Sequence, residues 1–157
     1  MITLKGIIDE DFVNYKVPSM VLMFPRCSFK CGSSYCQNSA LTKEKDIEIS
    51  VESIYERYIN NEITKAIVFQ GLEPLDSWDD VKELLYYFRI IKDCHDDFVI
   101  YTGYNKEEIV EKISYIKLIY TNVIIKYGRY IDGQKPHKDG VLSVSLASDN
   151  QYAEKIT

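Results

Sequence analysis

The sequence predicts an α/β fold: an open, partial (βα) barrel built around a mostly parallel sheet. Three observations lead there. Short apolar runs that read as buried strands alternate with amphipathic stretches that read as helices. Each of the first four runs stops at a glycine or proline. The 157 residues hold about four to five such units, whereas a closed eight-unit barrel takes roughly 250. The whole chain, 1–157, is expected to form one domain.

The elements follow in order. Ser19 to Phe24 is a continuous apolar run ending at Pro25, a buried strand. Ser50 is placed to N-cap a helix whose apolar face carries Ile54, Tyr58 and Ile59. Ala66 to Phe69 is a second buried strand, stopped at Gly71. Ser77 is expected to cap a longer helix, with Asp79 and Asp80 near its positive end and Val81, Leu84, Leu85 and Phe88 facing the core. Phe98 to Thr102 is a third strand, ending at Gly103; Asn105 then caps a helix with Glu107 and Glu108 in its first turn. A fourth strand starts at Asn122 to Ile125 and stops at Gly128, and Val141 to Leu146 reads as a fifth. The polar stretch Ser148 to Thr157 is expected to pack over the barrel mouth or an edge.

Composition excludes some function classes. Hydrophobic residues make up 46% and charged residues 27%, an ordinary balance for a globular protein. The net charge is −5 with no basic stripe, which argues against nucleic acid as the partner. No apolar stretch is long enough to span a bilayer, and Met1 to Gly6 lacks the features of a signal peptide. A cytoplasmic protein is expected, with no membrane partner. In that reducing setting, clustered cysteines are more often metal ligands or redox groups than disulfides.

Parallel α/β folds bind ligands at the carboxyl ends of their strands, and here the informative loops follow strands. Cys27, Cys31 and Cys36 fall within ten residues, directly after the first strand. Three clustered thiols with no fourth beside them suggest a metal centre with one open position, because a closed structural site normally uses four protein ligands. Spacing alone leaves an iron–sulfur cluster and zinc level, with Cys94, His95 or His137 as a remote fourth zinc ligand. Gln70-Gly71-Leu72-Glu73-Pro74-Leu75 follows the second strand, Thr102-Gly103-Tyr104 the third and Lys126-Tyr127-Gly128-Arg129 the fourth. All four loops should crowd one rim. Lys126 and Arg129 there read either as anion contacts or as a solvated loop.

The residue identities resemble the radical S-adenosylmethionine superfamily. Cys27, Cys31, Tyr35 and Cys36 are similar to its Cys-x3-Cys-x-aromatic-Cys loop, with two additional residues between the second and third cysteines. Gly71-Leu72-Glu73-Pro74 resembles its Gly-Gly-Glu-Pro segment, with Leu72 in place of the second glycine. Cys36-Gln37-Asn38 resembles the Cys-x-Asn of activating proteins of glycyl-radical enzymes. Thr102-Gly103-Tyr104, Gly128-Arg129-Tyr130 and Ser148-Asp149-Asn150-Gln151 are similar, in order and spacing, to segments of those that serve anaerobic ribonucleotide reductase.

The resemblance implies a radical-SAM-like fold with a 4Fe-4S cluster on Cys27, Cys31 and Cys36. It also implies S-adenosyl-L-methionine contacts at Tyr35, Asn38, Gly71, Glu73 and Thr102, with Tyr35 near the adenine and Glu73 near the amino group. The implied activity is formation of a 5′-deoxyadenosyl radical that abstracts hydrogen from a glycine of the large reductase subunit, with an electron donor such as flavodoxin or ferredoxin. The alternatives are a diverged member with another substrate, or a non-catalytic iron–sulfur or zinc binding module. Cys94 beside His95 reads as a helix end rather than a nucleophile, since no orienting third group is near.

Overall fold

The computed structural model describes residues 1–28 and 39–157. Cys31, Tyr35, Cys36 and Asn38 lie outside the described residues.

The described strands are β1 (Ile2–Leu4), β2 (Gly6–Asp11), β3 (Ser19–Phe24), β4 (Ile47–Ile49), β5 (Ala66–Gly71), β6 (Asp97–Tyr101), β7 (Val123–Tyr127), β8 (His137–Asp139), β9 (Val144–Leu146) and β10 (Tyr152–Lys155). The α-helices are α1 (Val51–Ile59), α2 (Trp78–Tyr86) and α3 (Val110–Ile119). Six strands form one sheet in the order β10-β7-β6-β5-β3-β2. The inner four pair in parallel, and β2 and β10 add antiparallel edges. The fold is therefore α/β with a mixed, mostly parallel sheet. Among the described residues the sheet is open and no barrel closes.

Each parallel strand alternates its side chains between two faces. Leu22, Phe69, Ile100 and Ile125 face the helices, joined there by Ile54, Tyr58, Leu84, Phe88 and Ile116 in one buried cluster. Aromatic rings carry the packing across strands: Phe24 to Phe69 is 5.2 Å, Phe69 to Phe98 is 5.3 Å and Phe98 to Phe88 is 5.3 Å. Val21, Val68, Val99 and Ile124 face the other way, under Tyr15, Leu142 and Leu146. The segment between β2 and β3 covers this second face, where the Tyr15 hydroxyl donates to Asp97 at 2.7 Å.

Helix starts follow local chemistry, with two corrections. Ser50 caps α1 as expected, accepting the Ser53 N–H at 3.1 Å, and Ile54 and Tyr58 are buried, but Ile59 is exposed. Ser77 does not cap α2. The chain turns four residues earlier: Glu73 caps a short 3-10 turn, Pro74–Ser77, that runs into α2, and its carboxylate accepts the Leu75 N–H. Pro74 supplies the fixed φ that a first turn favours. The Glu108 carboxylate accepts the Asn105 N–H at 2.9 Å, closing the turn before α3.

The fifth expected strand is shorter than its apolar run. Asp139 accepts the N–H groups of Val141 and Leu142 and makes them a turn, so only Val144–Leu146 pairs, with β8. The expected polar C-terminal stretch instead contributes β10, paired with β7.

Candidate functional site

The strand registers raise a polar level at the carboxyl ends of the parallel strands. Met23 pairs with Gln70, and Phe69 pairs with Ile100, which brings Gln70 opposite Tyr101. Tyr101 pairs with Lys126, and Lys126 with Ala153. This row lies directly above Val21, Val68, Val99 and Ile124 on the face away from the helices. Above it opens a cavity of about 420 Å³. Cys27, Gly71–Glu73, Thr102, Gly103, Gly128 and Arg129 line it, so the four strand-end loops do meet around one space.

The first cysteine is held by its neighbours. The Leu72 N–H donates to Phe24 O at 3.0 Å and the Glu73 N–H to Arg26 O at 2.7 Å. On the far side of Cys27, the Ser28 N–H donates to Asp76 at 2.6 Å, and the Tyr104 hydroxyl donates to the other Asp76 oxygen at 2.6 Å. Cys27 is therefore exposed on the cavity wall between two backbone clamps. Asp76 was not singled out from sequence; its place three residues after Glu73, in the first turn following Pro74, is the signal that could have found it. Gly71 makes the first clamp fit. Its φ is +98°, and a Cβ there would come within 2.4 Å of Phe24 N.

Glu73 is fully buried. Thr102 Oγ1 donates to Oε1 at 2.8 Å, the Gly103 N–H to Oε2 at 2.7 Å and the Leu75 N–H to Oε1 at 3.0 Å. One carboxylate thus ties the loop after β5 to the loop after β6. Burial pushes its pKa up to about 7, against the three donors that favour the ionised form. A carboxylate has about four acceptor sites, so these three donors leave room for one more partner.

Lys126 is buried at the cavity floor, with its ammonium 5.6 Å from the centre of the Tyr101 ring and donating to Gly128 O at 3.0 Å. Burial lowers its pKa to about 8, opposed by attraction to Glu73. Asn14, from the segment between β2 and β3, fills the space beside it: its Oδ1 accepts from Gln70 Nε2 at 2.8 Å and its carbonyl from the Tyr101 hydroxyl at 2.6 Å. The opposite wall is a strap. Gln151 Oε1 accepts the N–H groups of Ala147 and Ser148, its Nε2 donates to Gly128 O at 3.1 Å, and Asn150 Nδ2 donates to Arg129 O at 2.9 Å.

Two of the three remote ligands open to zinc lie away from the cavity, and the third, His137, is turned to a backbone carbonyl of the strap. Cys94 and His95 precede β6, at the end of the sheet opposite the cavity. Burial raises the Cys94 thiol pKa, which opposes thiolate formation. His137 Nε2 is 2.7 Å from Gln151 O. Among the described residues no group of three His, Cys, Asp or Glu side chains is placed to hold a metal ion. The donor chemistry that remains is the thiol set begun by Cys27. An exposed thiol on the wall of an open cavity, the first of three in one loop, fits a thiolate-held cluster with a face toward that cavity. No described helix is long and apolar enough to cross a membrane.

No curated protein matches the chain. Residues 18–151, which run from the start of β3 to the end of the strap, match a family described as a 4Fe-4S single cluster domain. With the thiol loop, the strap and all four strand-end loops inside that span, the chain belongs to the 4Fe-4S single cluster domain family.

Proposed function

We propose that the chain is a radical S-adenosylmethionine enzyme that activates a glycyl-radical enzyme of the anaerobic ribonucleotide reductase kind. The observation that carries this reading is the joining of two loops: the backbone on either side of Cys27 is hydrogen-bonded to Glu73 and Asp76, on the wall of one cavity. Membership of a 4Fe-4S family supports the cluster. A cavity of about 420 Å³ is the size of a small-molecule site.

When bound, a cluster with one iron not held by protein supplies the single electron that breaks the carbon–sulfur bond of S-adenosylmethionine. The protein's part is binding and orientation. Cys27, Cys31 and Cys36 would hold the cluster as thiolates, with Tyr35 and Asn38 in the same loop beside the nucleoside. Gly71 lets the backbone after β5 lie against the cysteine loop. Glu73, oriented by Thr102 and Gly103, would offer its remaining acceptor site to the ammonium of the methionine moiety. The hydrogen atom would come from a glycine of the large reductase subunit, with a flavodoxin or ferredoxin as electron donor.

Anaerobic reconstitution with iron and sulfide is expected to give a brown protein with about four irons per chain. Dithionite and S-adenosylmethionine should then release 5′-deoxyadenosine, and Cys27→Ala should abolish that release. A glycyl-radical doublet in a co-incubated reductase, read by electron paramagnetic resonance, would identify the partner. A brown protein that binds no S-adenosylmethionine and releases no 5′-deoxyadenosine would reject the enzyme reading and leave an iron–sulfur module.

A further inference from the structure

The cavity has a second chemical end. Lys126 sits on β7, three strand spacings from β3 and its cysteine loop, or about 14 Å across the sheet. Among the described residues, the charged side chains lining the cavity are Glu73, Lys126 and Arg129. Glu73 accepts three donors, and Arg129 faces Glu108 at 3.3 Å. Lys126 differs. It is 7% exposed, and an ammonium has three protons to place. Gly128 O takes one. Its neighbours along the row, Tyr101 and Gln70, give their own donors to Asn14. Among the described residues this leaves a nearly buried ammonium on the cavity lining with donor capacity to spare, an arrangement that costs free energy until an acceptor arrives.

We propose that Lys126 is an oxyanion seat: it receives a carboxylate or phosphate oxygen of a small ligand at the floor of the cavity, three strands away from the cysteine loop. The chemistry of the floor supports this. The Tyr101 ring on one side and the Gly128 carbonyl on the other hold the ammonium in place, and the Gln151 strap fixes that carbonyl from the far side. The lowered pKa of Lys126 has the same origin, since burial disfavours its charge and attraction to Glu73 offsets that only in part. The seat goes beyond the proposed activity and does not require it. The oxyanion has two sources: the amino-acid carboxylate of S-adenosylmethionine, or a separate small acid.

Titration of the anaerobically prepared protein with malonate and with inorganic phosphate tests the seat. Saturable calorimetric binding of at least one is expected, together with shifts of the Gly128 and Tyr101 amide signals and none at His95. Lys126→Met, verified as folded by circular dichroism, should weaken that binding by about tenfold or more, the range of a lost charge-assisted contact. Lys126→Arg should keep it within about threefold. Absence of saturable binding and of amide shifts in the wild type overturns the proposal, as does undiminished binding by folded Lys126→Met. The wild-type shifts decide the matter if the methionine variant does not fold. Competition separates the sources: displacement of the bound anion by S-adenosylmethionine but not by its decarboxylated analogue assigns the seat to the cofactor carboxylate, and binding of both alongside the anion assigns it to a separate acid. A seat that binds anions in a protein that ignores S-adenosylmethionine upholds the seat while rejecting the proposed activity.

Discussion

At Gly71 a single hydrogen atom in place of a side chain decides whether two loops can touch. Its φ of +98° is in the left-handed region, and the nearest obstacle to a Cβ is the backbone of Phe24, not a movable side chain. Gly133 shares the positive φ, at +85°, but nothing lies within 4 Å of its Cβ position. Gly133→Ala should cost only the left-handed strain, about 1 kcal/mol, whereas Gly71→Ala should cost at least about 3 kcal/mol and disturb the Leu72–Phe24 hydrogen bond. Urea unfolding of the two variants checks this; equal losses would mean that the close approach carries no weight.

Glu73 gives a second residue-scale prediction. Its folded pKa, about 7, lies above the ordinary 4.5. Between those values the native state holds the proton that the unfolded state has released, so the stability from this group is full below pH 4.5 and falls as pH rises toward 7. The loss is on the order of 3 kcal/mol. Glu73→Gln cannot titrate, and the difference in unfolding free energy between wild type and variant should therefore shift by that order between pH 5 and pH 8. A difference that stays constant across the range would show that Glu73 is already ionised throughout.

At the scale of elements, Arg89 pins the end of the sheet opposite the cavity. It lies in the π-helical turn Tyr87–Ile91 that extends α2. Its guanidinium donates to the carbonyls of Thr121, Cys94 and Asn122 and stacks 4.7 Å from the Phe98 ring centre. The five donors of an arginine fit several carbonyls at once. Arg89→Met keeps the apolar stem and leaves three carbonyls short of a donor. It should lower stability by about 3–5 kcal/mol, read by urea unfolding, while anion binding at Lys126 is kept in the folded fraction. Helix α3 shows the opposite case. Leu118 is 86% exposed, so Leu118→Glu should change the unfolding free energy by no more than about 0.5 kcal/mol.

Elements also show where sequence legibility ended. The inner strands were readable because a strand buried on both faces is apolar throughout, as Ser19–Phe24 and Ala66–Phe69 are, and a glycine or proline ends it. β1, β2 and β4 were not. Gly6–Asp11 reads GIIDED and is half exposed, and its strand state comes from pairing with β3 rather than from its own pattern. Ser77 was misread as the cap because Glu73, four residues earlier, already turns the chain through its carboxylate. The apolar run Val141 to Leu146 held no hint that Asp139 would fold its first half into a turn.

For the whole molecule, the parallel order β3-β5-β6-β7 is the reason that one cavity exists. Parallel strands put all their carboxyl ends on the same edge, so four loops far apart in sequence become neighbours. The three cysteines, the Gly71–Pro74 turn and Thr102-Gly103 were each visible as local patterns. Loss of the cluster should therefore be felt as loss of iron and colour with little loss of fold, because the buried aromatic and aliphatic core lies behind the sheet and not at the cavity. Cys27→Ser, compared with wild type by far-ultraviolet circular dichroism and iron content, should keep the spectrum and lose most of the iron.

The sequence by itself determined the α/β class, the inner strands and the thiol loop, since these depend on local composition: apolar runs, breakers and clustered sulfur. Tertiary structure alone decided that Asp76 anchors Ser28, that Glu73 ties two loops together, that Asn14 enters the second face of the sheet, and that Lys126 becomes a buried cation at the floor of the cavity. Each of those outcomes depends on strand register and on segments up to 87 residues apart meeting in space, as Asn14 and Tyr101 do. A lysine in VIIKY and a glutamine in AIVFQG were the faint signals: polar residues at the same level of two apolar strands, whose common level only the pairing of the strands could reveal.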